Sequence, residues 1–354
     1  MKKYFFILSI ATACGCGNKD KLLLGEVPVT PVVNPATKSI IKGNSLVYVR
    51  LDSGTVIHGM TPSSAFRTTN LFTDFGLNYL SVPTATTPYS FNKNTAVYAS
   101  GQVLSPMVNY STDYGNSWTS FTPVFSPALS SVGFYSSGLV CLNYISNQEI
   151  LALYGQKSYT NGNMRQLYKI NTLTGQASLV AGFQDAYVPL TMQFSDAKTG
   201  WILLNNGSTW LASTTDSGVT WTTPVLVDSR SLSNLQVGSD GYLAVYEASG
   251  DACFSADKGA TWKKAPATTL FSAIYVVNAS ALYALTNTGM IKSTDGGTTW
   301  NSTSAYGGTF NNVQQLFFED EQNGLAYAAQ TLFITTDGGN NWKTLLYPYS
   351  YITQ

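Results

Sequence analysis

The stretch "STDGGTTW", residues 293–300, returns almost letter for letter as "TTDGGNNW" at residues 335–342. Looser copies stand at 111–118 ("STDYGNSW"), 214–221 ("TTDSGVTW") and 255–262 ("SADKGATW"). The five aspartates are Asp113, Asp216, Asp257, Asp295 and Asp337, and the last four are 41, 38 and 42 residues apart. A period near 40 residues marks stacked or radial supersecondary units, each too small to bury its own apolar face. One period before Asp113 lies "FTDFGLNY" (72–79), which keeps Asp74 and Gly76 and has Tyr79 where the others have tryptophan. Between Asp113 and Asp216 lies "NTLTGQAS" (171–178), which keeps Thr172 and Gly175 but carries Leu173 and Ser178 in place of the aspartate and the tryptophan. The chain therefore holds seven copies, with boxes near 74, 113, 173, 216, 257, 295 and 337.

The residues around each box read as strands. From 273, "AIYVV" is followed by "NAS", "ALYAL" by "TNTG" and "MIK" by the box, after which Trp300 opens a fourth strand. The unit from 313 turns at Asn323-Gly324, and the unit from 232 at Asp240-Gly241. Four short antiparallel strands in each of seven units predict an all-β fold, a seven-bladed β-propeller spanning 44–354. The box falls in the turn between third and fourth strands. There its carboxylate can accept the turn's own N–H groups, its glycine can supply positive φ and its tryptophan can pack beneath the turn. On this reading the structural set is Asp74; Asp113, Gly115 and Trp118; Asp216, Gly218 and Trp221; Asp257, Gly259 and Trp262; Asp295, Gly297 and Trp300; and Asp337, Gly339 and Trp342.

These phrases resemble the Asp-box, or BNR, repeat, S/T-x-D-x-G-x-x-W. Sialidases, sortilin-type receptors, seven-bladed xyloglucanases and the photosystem II assembly and stability factor-like propellers share it. The resemblance implies the propeller and its box turns; it implies no single activity, because the repeat serves enzymes and binding modules alike. The single-propeller size and the "TDGG..W" wording are most similar to the stability factor-like group. Sialidases pair an arginine triad with a tyrosine nucleophile, a glutamate and an acidic acid/base residue. This chain has only Arg50, Arg67, Arg165 and Arg230. Arg67 stands in "FRTTN" and not in an Arg-Ile-Pro phrase, and Arg230 precedes Glu247, the reverse of that family's order. Xyloglucanases pair two such propellers around a cleft, and this chain has length for one.

Composition narrows the rest. The 354 residues carry 19 Lys plus Arg against 19 Asp plus Glu, and only 11% of residues are charged, so no global field recruits nucleic acid. Lys2 and Lys3 precede the apolar run 4–13 and then Cys14, which reads as a signal peptide over 1–16. "ATAC" resembles a bacterial lipobox, with Cys14 the lipidated residue and Cys16 an alternative. Residues 17–43, with Pro28, Pro31 and Pro35, read as a tether. The expectation is an exported monomer, lipid-anchored at the outer membrane or surface of a Gram-negative bacterium and touching the membrane by that anchor alone. Cys141 and Cys253 are too few for a disulfide framework, and both fall in apolar strands.

Candidate sites follow from position. His58, in "GTVIHGM", is the one histidine, so a histidine metal cluster or a triad built on several histidines is excluded. "FEDEQNG" (318–324) lacks the alternating carboxylates of a calcium loop and reads as a solvated turn. No cofactor or metal is expected. The boxes do not read as catalytic, since seven turns around a ring cannot converge on one substrate. A binding face is left, made by connections between blades and between second and third strands. The extra length of the third unit falls near "GQKSYTNGNMRQ", which reads as a long loop carrying Tyr159 and Arg165. Tyr187, Arg230 and Tyr306 lie in inter-blade loops and Glu247 beside a loop after a second strand. These six are the candidate contacts for an envelope or surface protein, or a glycan, bound without catalysis. A sialidase-like or other glycoside hydrolase is the alternative.

Overall fold

The computed structural model describes residues 48–345, apart from 53–55, 62–63, 68–88, 93–94, 103–104, 113–116, 130–133, 147, 159–161, 184–186, 249, 267–268, 287–288, 304–312 and 329–330. The N-terminal 1–47, with Cys14, Cys16 and the tether, lies outside that range, as do Asp74, Asp113, Gly115, Tyr159 and Tyr306.

Among the described residues every regular element is a strand, and the strands form seven sheets, in chain order over 48–67, 89–121, 134–183, 188–228, 234–264, 273–302 and 313–345. Within each sheet consecutive strands are antiparallel neighbours. The first strand of each sheet packs beside the first strand of the next from the second sheet onward, and Tyr48–Asp52 of the first sheet lies against Val313–Phe318 of the last. The chain is thus a β-propeller, with its first sheet brought round to its seventh. The seventh sheet takes its fourth strand, Lys343–Leu345, from its own unit.

Alternation of side chains across the pleat explains why the second strands read as unbroken apolar runs. Each is covered on both faces, by the blade before and the blade after. In Gly200–Asn205, Ile202 and Leu204 pack into the seam with the third sheet, whereas Trp201 and Leu203 pack into the seam with the fifth. Leu243 and Val245 face the fourth sheet while Ala244 and Tyr246 face the sixth. The core is therefore a series of inter-blade seams, in which each fully buried leucine or valine contributes about 1.5–3 kcal/mol.

The third sheet departs from the expected four strands. A fifth, Val124–Ser126, adds parallel to the outer strand Gln176–Phe183, with Gln176 opposite Val124 and Ser178 opposite Ser126. Its Phe125 packs into the seam with the second sheet, 4.9 Å from the Tyr168 ring and edge-on to it. In the later units the box tryptophan faces this kind of seam, so Phe125 supplies the aromatic bulk that Ser178 cannot. The extra length of the third unit goes into this strand and into strands of 13, 10 and 10 residues. Consequently "GQKSYTNGNMRQ" is not the long loop its composition suggests: Glu149–Ser158 and Gly162–Asn171 pair as far as Ser158 opposite Gly162.

His58 lies on the second strand of the first sheet and Arg67 ends the third. The 318–324 segment is the turn between two strands, where Asp320 accepts the backbone N–H groups of Gln322 and Asn323 at 2.7 Å each.

Candidate functional site

Antiparallel order sorts the connections by face. Box turns and first-to-second turns open on one side; second-to-third turns and inter-blade connections open on the other. The four C-terminal boxes share one geometry. In the sixth sheet, Ser293 Oγ donates to Asp295 Oδ1 at 2.8 Å and accepts the Gly297 N–H at 2.8 Å. Thr299 donates its backbone N–H to Asp295 Oδ1 at 2.9 Å and its hydroxyl to Oδ2 at 2.6 Å, while the Trp300 indole donates to the Gly297 carbonyl at 3.1 Å. The same bonds recur around Asp216, Asp257 and Asp337, with Asn341 doing the work of the threonine in the last. Gly218, Gly259, Gly297 and Gly339 have φ of 78, 96, 71 and 84°, as the sequence predicts. Around Leu173 the turn survives by substitution, because Asn171 Oδ1 accepts the N–H groups of Leu173 and Thr174 at 2.9 and 3.0 Å.

The box side is also where neighbouring blades are tied together. The Trp201 indole donates to the Lys258 carbonyl at 2.9 Å and the Tyr242 hydroxyl to the Gly296 carbonyl at 2.8 Å. The four described box carboxylates are thus committed to their own turns. Hydrogen bonds from Thr220, Thr261 and Thr299, hydroxyl first and then backbone N–H, hold Asp216, Asp257 and Asp295 at about 2 against an ordinary 3.8. A carboxyl depressed in the folded state contributes stability that is present above its unfolded pKa and lost as pH falls through the folded value. The protein is therefore expected to lose stability between about pH 4 and about pH 2. A Thr220→Val, Thr261→Val, Thr299→Val variant should show its acid midpoint, read by tryptophan emission, at higher pH. An unchanged midpoint would show that these bonds do not set acid stability.

On the opposite side, two seams hold the predicted contacts. Between the fourth and fifth sheets, Asp228 ends the outer strand Val225–Asp228 with its side chain fully buried. Arg230 donates to it from Nε and Nη2 at 2.9 Å each, and Lys264 Nζ, from the outer strand of the fifth sheet, approaches to 3.1 Å. The Arg230 Nη1 also pairs with Asp251 of the fifth sheet. The Arg230 guanidinium beside Asp228 holds that carboxyl far below the usual carboxylate range, against the opposing effect of burial. Thr209 fixes the connection by donating to the Arg230 carbonyl at 2.6 Å and accepting the Leu232 N–H at 2.7 Å. Glu247 is engaged as well, accepting the Ser233 hydroxyl at 2.7 Å. Arg230 is thus the centre of a clip between blades. Cys253 lies buried beside the clip, its thiol pushed up to about 12 by burial first and then by the Asp228 charge.

The seam between the third and fourth sheets brings two other candidates together. Arg165, on the third strand of the third sheet, stands opposite Phe183 and opposite Gly155. Its guanidinium lies over Gly155, filling the space that any side chain there would take. Phe183, Tyr187, Trp210, Val140 and Cys141 pack in one apolar cluster at this seam. The Tyr187 and Trp210 rings meet edge-on with centroids 5.3 Å apart, and the Trp210 indole is fixed by donating to Asn206 Oδ1 at 2.8 Å. Sequence reading missed Gly155, Trp210, Asp228, Asp251 and Lys264. A signal existed for two of them: Trp210 and Trp201 are the tryptophans outside the boxes, and Asp228 stands two residues before Arg230.

Residues 195–317 match the family described as the DUF6242 beta propeller domain. Among curated proteins none matches the sequence. Of the solved structures that it resembles, one is YCF48 bound to D1 peptide, at 14% identity and TM-score 0.58, covering 83% of this chain and 91% of that one. YCF48 from Cyanidioschyzon merolae is similar at 11% identity and TM-score 0.56, covering 84% of this chain and 96% of that one. The β-propeller domain of the Trilobed protease from Pyrococcus furiosus is similar at 8% identity and TM-score 0.55, covering 88% and 99%. At such identities the likeness is one of fold, and it agrees with the sheet order in assigning a β-propeller.

Proposed function

We propose that this chain is an exported lipoprotein, anchored through Cys14, whose single seven-bladed Asp-box propeller binds an envelope or surface protein, or a glycan, without catalysis. The observation that carries this reading is the commitment of the four described box carboxylates. Each is held by its own turn, at separate seams, all on one side. Acidic chemistry there cannot converge on one bond, and recognition is left to the opposite side. The likeness to a propeller solved with a bound peptide supports a protein partner.

The reading is tested with the full chain in its own envelope. Photo-crosslinking residues placed at 231 and 248, on the opposite side, are expected to give discrete adducts, and those at 217 and 298, on the box side, none. Cys14→Ser should release the protein from the membrane fraction. Adducts from the box side alone would place the partner elsewhere, retention of the serine variant would remove the anchor, and turnover of fluorogenic glycosides would return the hydrolase reading.

A further inference from the structure

We propose that the seam between the third and fourth sheets binds an organic carboxylate carried on an apolar or aromatic body, with Arg165 as its cationic anchor. The inference rests on the reading that the side opposite the boxes is the recognition side, and it names the chemistry at one point on that side.

The two arginine-bearing seams make the argument by comparison. In the seam between the fourth and fifth sheets Arg230 meets Asp228 and Asp251, so its charge is answered within the chain. Arg165 is half-buried, yet among the described residues no carboxylate pairs with it and no acceptor bonds it. Burial lowers its affinity for its proton, and among the described residues no carboxylate opposes that effect. Its charged neighbour in the seam would be Cys141, but burial pushes that thiol up to about 12, so it is neutral and supplies no counter-charge. A guanidinium held partly out of water without an anion is a site that a ligand carboxylate completes with two parallel N–H···O bonds.

The surroundings define the rest of the ligand. Phe183 faces Arg165 across the outer strand pair, and Tyr187 and Trp210 continue the same cluster as an edge-on pair. Rings of this kind favour a flat or apolar body beside the charged head over a hydrated ion. Gly155 is the positioning residue. A methyl group added there would meet the Arg165 guanidinium and Cζ first, the movable end of a long side chain, and the Val140 Cγ2 next at 3.0 Å, so the change displaces the guanidinium and presses on Val140 by a few tenths of an ångström at most.

The full-length protein is titrated with benzoate, with its neutral isostere benzamide, and with acetate, which has the charge without the ring, following tryptophan emission and saturation-transfer NMR. Benzoate is expected to saturate, with benzamide and acetate each at least about tenfold weaker. Arg165→Gln and Gly155→Ala should each weaken benzoate by about tenfold or more. Lys198→Gln, which removes an exposed charge on the box side, should bind as the parent does. Equal binding of benzoate and benzamide, undiminished binding by Arg165→Gln, or no saturation overturns the proposal. So does benzoate binding that arises only in Asp185→Asn, since Asp185, outside the described residues, would then be the guanidinium's own partner. Failure of benzoate with intact crosslinking from the same side sinks this inference alone. Loss of crosslinking with intact benzoate binding sinks the partner reading alone.

Discussion

Gly297→Val is expected to destabilise the protein by about 2–5 kcal/mol, the sum of two separate costs. The residue sits at φ of 71°, where a β-branched side chain is strained by about 1–2 kcal/mol. A Cβ there would also stand 2.8 Å from the Phe254 ring, which is itself packed against Phe271 and Trp300. Overpacking of this kind adds about 1–3 kcal/mol. Gly207→Ala is the matched comparison: its φ is 98°, but a Cβ there meets nothing within 4 Å, so only backbone strain of about 1 kcal/mol is expected. Urea denaturation of the two variants separates the terms. If Gly297→Val costs no more than Gly207→Ala, the box glycine is not packed as described and the seam between the fifth and sixth sheets does not depend on it.

The second large effect belongs to the clip at Asp228. Removing both cations, Arg230→Ala with Lys264→Ala, is expected to cost about 3 kcal/mol, because it leaves a fully buried carboxylate without a counter-charge, held only by the backbone N–H of residue 230 and the Cys253 thiol. The sign of the pH dependence identifies the cause. In the parent protein the Asp228 carboxyl is depressed, chiefly by its bonds from Arg230, so its contribution is complete above the unfolded carboxyl value and falls away in acid. Without the cations, burial dominates and raises that carboxyl, so protonation in the folded state becomes favourable. The double variant should therefore gain stability between about pH 7 and pH 5, where the parent does not. Melting temperatures across that interval decide the matter, and a double variant that follows the parent's profile would show that Asp228 is not the source of the loss. Arg230 changes are thus expected to act on stability, which separates them from Arg165→Gln, whose effect is on ligand.

The repeat was legible because its chemistry is local. Asp295, Ser293, Gly297, Thr299 and Trp300 lie within eight residues and satisfy one another, so spacing alone reports the turn, and recurrence of the turn reports the propeller. The second strands were legible for a related reason: burial on both faces makes Trp201–Leu204 or Leu243–Tyr246 apolar at every position. The added strand Val124–Ser126 was not legible, because three residues beside Pro123 and Pro127 carry no period, and their pairing with Gln176–Ser178 spans 52 positions of chain. Nor could the sequence separate Arg165 from Arg230. Each stands in a polar stretch on the same side of the ring, and what distinguishes them is the neighbouring strand: from the next blade Asp251 reaches Arg230 and Lys264 reaches Asp228, while Arg165 lies over Gly155 and opposite Phe183. Contacts closed within a turn are written into adjacent letters, so the sequence by itself determined the architecture. Whether a buried charge is answered depends on groups brought across a seam from distant units, and only the tertiary structure decided that.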